Sequence, residues 1–168
     1  MITLVSMTLQ AEPIFDKEED QHVPRKDENK QASELNNEGM PEYPLDSNLR
    51  RLNIRQSNLI YYVDLLSITP GKDRIVRLIT VAISPSGART VTYEGLDCGY
   101  RRFKAYGAAG SEGPLQPLKD QGWNPIIDEG NGRYRMLLVE NYLCENFAFA
   151  ASRSTILARM KGLKPFSN

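Results

Sequence analysis

The sequence has little of what most enzymes and metal proteins are built from. Its 168 residues hold one histidine (His22), one tryptophan (Trp123) and two cysteines (Cys98 and Cys144). A zinc site takes three or four ligands at workable spacing, and no such set is present. The two cysteines are far from a Cys-x-x-Cys arrangement, so they are not a thioredoxin-like redox pair. There is no Gly-Lys-Ser/Thr phosphate loop and no His-Glu-x-x-His. The stretch "GAAGSEG" lacks the glycine two residues before Ser111 that a Gly-x-Ser-x-Gly elbow requires. No catalytic set, metal or cofactor is implied. No run approaches eighteen apolar residues, so no segment reads as a membrane-spanning helix.

Net charge is also absent, but that zero conceals an asymmetry. Residues 12–48 carry eleven acids and four bases, and the remainder is basic by the same margin. Such a division suggests a tail beside a folded domain. Residues 12–48 are polar, acidic and interrupted by Pro13, Pro24, Pro41 and Pro44. Their apolar surface is too small to offset the entropy of ordering them, so a disordered acidic tail is expected. His22 lies there and is read as solvent-exposed. The first eleven residues, "MITLVSMTLQA", are apolar and end in a small residue. They resemble the back half of a secretory signal with Leu9-Gln10-Ala11 at the cleavage site, although the basic leading region is missing. The alternative is a short apolar N-terminus. Residues 49–168 then form one domain.

Within that domain, strand signals come first. Asn58–Ile68 is rich in β-branched and aromatic residues and stops at Pro70-Gly71. Asp73–Ile83 is apolar on both parities: Ile75, Ile79, Val81 and Ile83 share one face, and Val76, Leu78 and Ala82 the other. A strand covered on both sides reads this way. "SPSGA" (84–88) predicts a hairpin turn, with Arg89–Gly95 as the antiparallel partner. Gly99–Gly107 predicts another strand, and a short one is expected around Trp123 and Ile126-Ile127. After Asn131, a plausible N-cap, Tyr134, Leu138 and Tyr142 recur every four residues, a helical period that places Leu137 and Cys144 on one face. A second helix is predicted over Ser152–Lys161, ending at Gly162. Strands followed by helices predict α+β: an antiparallel sheet of about four to six strands covered by one or two C-terminal helices.

Cys98 falls at the end of a strand, and Cys144 on the helix that should cover the sheet. Two readings remain open, a disulfide and two buried thiols. The even cysteine count and the signal-like N-terminus favour the disulfide. Closing so long a loop stabilises by roughly 4 kcal/mol in the chain-entropy model. One conflict stands: Cys98 has the strand parity of Tyr100, yet it should face the helix. A bulge at Gly99 would resolve it.

Several stretches resemble a known family. "YYVD" (61–64), "SPSGARTVTYEG" (84–95), "RRFKAY" (101–106) and "NYLC" (141–144) are similar to the CNP-type family of proteobacterial envelope proteins. The chain departs from it at Leu65, where proline is usual, at Asp97, where arginine is usual, and at Leu115, where a first tryptophan is usual. Trp123 matches the second. A weaker similarity runs to surface adhesins of the protein E type. The resemblance implies an exported, periplasmic or envelope protein and no particular activity.

Candidate site residues cluster on the predicted sheet. Arg101, Arg102 and Lys104 alternate with Tyr100, Phe103 and Tyr106, a pattern that can hold a nucleic-acid backbone and stack bases. A solvated sheet face looks the same with no ligand, and for an exported basic domain an anionic envelope component or a protein partner is the better expectation. Arg77, Tyr93, Glu94, Tyr100, Arg102, Lys104, Tyr106 and Trp123 make up the candidate surface. Glu94 could serve as a general base beside Arg77 or Arg74, but a cross-strand ion pair is the plainer reading. The function expected is therefore an exported, non-enzymatic binding module. An enzyme using Glu94 and a nucleic-acid binder using Arg101, Arg102 and Lys104 are the alternatives.

Overall fold

The run "IVRLITVAI", apolar on both parities, forms the strand at the heart of the domain. In the computed structural model, which describes residues 39–119, 122–146 and 148–167, this strand, β4 (Ile75–Ile83), pairs along its whole length with β5 (Arg89–Asp97). The turn between them closes as its residues dictate. Gly87 takes φ +83°, and the Ser84 and Gly87 amides donate to the Ala88 and Ser84 carbonyls at 2.9 Å. On one side of this pair lie β2 (Ile60–Asp64) and β1 (Leu49–Arg51). On the other lie β6 (Arg102–Ala109) and β7 (Gln116–Pro117). Two further short strands extend the sheet: β3 (Thr69–Pro70) on β4, and β8 (Asn124–Pro125) on β6. Every pairing is antiparallel.

Parity assigns two cores. Tyr61, Val63, Val76, Leu78 and Leu96 point to the face covered by the C-terminal helices, where Tyr134, Leu138, Val139, Leu143, Ile156 and Met160 close over them. Burying each such leucine or isoleucine stabilises by about 1.5–3 kcal/mol. Tyr62, Ile79, Val81, Val91 and Tyr93 point the other way, where Leu115, Met40, Tyr43 and Phe166 cover them. Tyr43 is tied there by hydrogen bonds from its hydroxyl to the carbonyls of Gly110 (2.9 Å) and Ser111 (3.0 Å). The two-sided cover expected of the central strand is thus met.

The first covering helix, α1 (Arg133–Leu138), continues into a π-helical turn over Val139–Leu143. A two-stranded hairpin follows, β9 (Cys144–Glu145) with β10 (Phe149–Ala150), and then α2 (Arg153–Met160). The Ser152 hydroxyl caps α2 by accepting the Thr155 amide at 3.2 Å. No helix of the described residues is long and apolar enough to cross a membrane.

The fold is the expected antiparallel sheet with two C-terminal helices, with differences of physical interest. The sheet has eight strands rather than four to six, because three two-residue strands add to its edges. β2 ends at Asp64, not Ile68: the Asp64 carboxylate accepts the amides of Leu66 (3.1 Å) and Ser67 (3.2 Å) and turns the chain. β5 runs on to Asp97, so Cys98 follows the parity of Glu94 and Leu96 and needs no bulge at Gly99. The register shift lies instead opposite Tyr93 and Glu94, where β6 carries Tyr106 as its extra residue. Asn131 is not the N-cap of α1, which follows a 3-10 turn at Gly130–Gly132. Cys144 sits just past the π turn in β9, not on a helical face with Leu137. Residues 39–48, assigned above to a disordered tail, belong to the folded domain, with a 3-10 turn at Asp46–Asn48. The rest of the tail, His22 and the apolar first eleven residues lie outside the described residues.

Candidate functional site

Cys98 and Cys144 form a disulfide, with Cα atoms 5.7 Å apart. It links the end of β5 to the end of the π turn. Both residues are buried against Leu96, Val139 and Leu143. The bond ties the central hairpin of the sheet to the layer that covers it. Arg159 of α2 secures the same junction: its Nη1 donates to the carbonyl of Tyr142 (3.0 Å), which the end of the helix leaves without an intrahelical partner, and to that of Cys144 (3.1 Å) just beyond it.

Glu94 faces this covered side and has no exposed surface. Its Oε1 accepts hydrogen bonds from the Thr80 and Tyr134 hydroxyls, both at 2.7 Å. Its Oε2 accepts one from Arg135 Nε at 2.6 Å. Arg135 lies over the Phe103 ring at 3.6 Å, and Tyr134 stacks on Tyr61 with centroids 4.4 Å apart. Burial, reinforced by the Glu94 charge, pushes the Tyr134 hydroxyl well above its ordinary pKa. Burial works against the charge of Arg135, but Glu94 more than offsets it and holds the guanidinium protonated. The expected pairing of Glu94 with Arg77 or Arg74 across the hairpin does not occur, because Arg77 has the opposite parity. Arg77 instead forms a two-pronged ion pair with Asp73, at 2.8 and 3.4 Å.

The remaining candidate residues do share the second sheet face, but at different depths. Tyr93 and Lys104 are buried. Tyr106 packs against Tyr93 with centroids 5.5 Å apart, and burial raises its hydroxyl pKa to about 12 although the Arg77 guanidinium opposes this. Gly95 makes room for Tyr106: a Cβ there would stand 2.6 Å from the phenol oxygen. Arg101 turns away and reaches Glu140 at 3.5 Å. The three bases therefore do not form a row.

What reaches solvent is the end of this face. Asp97 organises it. Its Oδ1 accepts the amides of Gly99 (2.9 Å) and Tyr100 (3.3 Å), and its Oδ2 accepts Arg102 Nε at 3.0 Å. The Arg102 guanidinium is held 4.7 Å from the Tyr100 ring centroid and 4.8 Å from that of Trp123, and Arg74 lies over Tyr100 at 5.3 Å. Tyr100 is 54% exposed. The outcome is a pre-ordered patch of alternating cations and rings, able to stack on planar or apolar groups and to pair with anions. Sequence reasoning found Tyr100, Arg102 and Trp123 but missed Asp97, whose spacing from two amides and an arginine carried the signal. It also missed Thr80, Tyr134 and Arg135 around Glu94.

The chain belongs to the CNP1-like family, whose model matches residues 27–161. No curated protein and no solved structure matches it.

Proposed function

We propose that this member of the family is an exported module that binds an envelope component and catalyses no reaction, with Tyr100, Arg102 and Trp123 as its contact surface. The observation that carries the reading is the disulfide. Such bonds persist in oxidising compartments and are rare where glutathione keeps thiols reduced. Tyrosine, tryptophan and arginine are the residues enriched at the energetic centres of protein interfaces. Because Asp97 and the two rings already hold Arg102, little side-chain freedom would be lost on binding. A protein partner in the envelope suits this patch better than a nucleic acid, since Lys104 is buried and Arg101 is paired with Glu140. The alternative role of Glu94 as a general base has less support: a base must reach its substrate, and this carboxylate lies beneath α1 with three donors on it.

A photo-crosslinking side chain placed at position 100 of the full chain, in living cells, tests the proposal. A discrete protein adduct that appears in the envelope fraction and disappears with Trp123→Ala is the expected result. A chain confined to the cytoplasm, or an adduct indifferent to Trp123→Ala, would overturn it.

A further inference from the structure

A second, separate site lies beside the π-helical turn. The C-terminal segment returns along β1: Arg50 pairs with Pro165, and the Arg51 amide donates to the Lys164 carbonyl at 2.7 Å. This antiparallel register sets Arg51 opposite Lys164. Like charges in such positions repel and cost stability. Both side chains line one groove of about 450 Å³, together with Asn53, Tyr142, Gly162 and Leu163. Among the described residues, no carboxylate lines that groove and neither cation joins an ion pair.

The surrounding elements hold this arrangement rather than relax it. Tyr142 is presented by the π turn, a rare geometry that occurs frequently at functional sites. That turn is clamped by Arg159 on its carbonyls and by the disulfide at its end. A Cβ at Gly162 would meet nothing within 4 Å, so the groove is open on that side. A second groove of about 500 Å³ shares Asn53 and runs over Ile54, Met136 and Leu137; it carries charges of both signs, Arg55 and Arg133 beside Asp128 and Glu140. Two cations with no ion-pair partner among the described residues, an amide and a phenol around an open floor form the complement of an oxyanion.

We infer that the Arg51–Lys164 groove binds a phosphate group, carried either by a free phosphate or by a lipid headgroup. Arg51 and Lys164 supply the charge, and Asn53 and Tyr142 supply further donors. The site stands on elements separate from the Tyr100 patch and does not depend on where the chain resides.

The test uses the full chain, followed by amide NMR and thermal unfolding, with Arg51→Gln/Lys164→Gln as the variant and exposed Lys72→Gln as the control. Inorganic phosphate should move the amides of residues 51–53 and 162–164 and raise the unfolding temperature, as any ligand of the native state does. The double variant should bind at least about tenfold more weakly, the loss of one charge-assisted hydrogen bond or more. Without phosphate it should be as stable as the parent or more so, because two like charges no longer stand at opposed positions. Vesicles of phosphatidylglycerol in phosphatidylcholine separate the sources. Binding to them alone, lost in the double variant, assigns the site to a headgroup; a response to inorganic phosphate assigns it to the free ion. No response to either probe, or a response weakened as much by Lys72→Gln as by the double variant, would overturn the inference.

Discussion

The guanidinium of Arg135 meets the carboxylate of Glu94 at 2.6 Å, beneath a helix and with no part of Glu94 exposed. A charge so placed is tolerated only because every oxygen finds a donor. The pair therefore fixes the seat of α1 on the sheet, beside the disulfide that fixes the helix's far end.

Removing one partner should cost far more than removing a surface ion pair. Arg135→Met should destabilise the chain by about 3–5 kcal/mol, since it leaves a buried carboxylate unpaired. Glu94→Gln should cost less, because the amide oxygen still accepts from Thr80 and Tyr134. Urea unfolding of both variants checks the order. Arg135→Met costing no more than a surface substitution would show the pair to be dispensable.

Alkaline pH should weaken the fold before it strips all the tyrosines. Burial holds the Tyr134 proton well above the ordinary value and raises the Tyr106 pKa to about 12, whereas the unfolded chain releases both near the ordinary value of 10.0. The folded state then binds more protons than the unfolded state across that window, so stability falls as pH rises through it. Below the unfolded value this contribution is fully present. Urea midpoints measured alongside tyrosinate absorbance should show the decline starting near pH 10, with these two phenols ionising later than an exposed tyrosine. A flat midpoint across the window would contradict the assignment.

Loss of the disulfide should be costly but not additive. Cys98→Ser and Cys144→Ser should each lower stability by roughly 2–5 kcal/mol. The double variant should fall little further, because both singles break the same bond. Equal and independent losses would mean that packing of the two sulfurs, not the bond, is what matters.

The acidic segment ahead of the domain should compete with acidic partners for its basic surfaces. Residues 1–38 carry nine acids and four bases. Deleting them while keeping Met40 and Tyr43, which cover the second sheet face, should raise the salt needed to elute the chain from heparin. Unchanged elution would remove any shielding role.

The sheet was legible because its signals were redundant. β4 was readable from β-branched residues on both parities, and its partner β5 from the Pro85–Gly87 turn between them. The disulfide was legible because two cysteines allow one pairing. What misled was fine geometry. The π turn breaks the 3.6-residue period on which Cys144 was placed, so the cysteine lies beyond the helix rather than on its face. A side chain such as Asp64 or Asp97 can end a strand by capturing amides, and residue type alone does not reveal whether it will. An ion pair is the plainer reading of Glu94 and it does form one, but the partner comes from α1, forty-one residues on, not from across the hairpin. Pattern reading within the hairpin offered only the arginines of β4 and its preceding turn. Lys104 looked like a surface base and is buried, because the segments that cover the second face carry no strand or helix signal of their own.

The most direct test of the account is to fractionate cells that produce the full chain and alkylate its thiols before denaturation. Mass spectrometry should find the chain in the envelope fraction, with the peptides containing Cys98 and Cys144 joined and unmodified. A cytoplasmic chain with both thiols alkylated would contradict the claim that this is an exported, disulfide-stapled binding module.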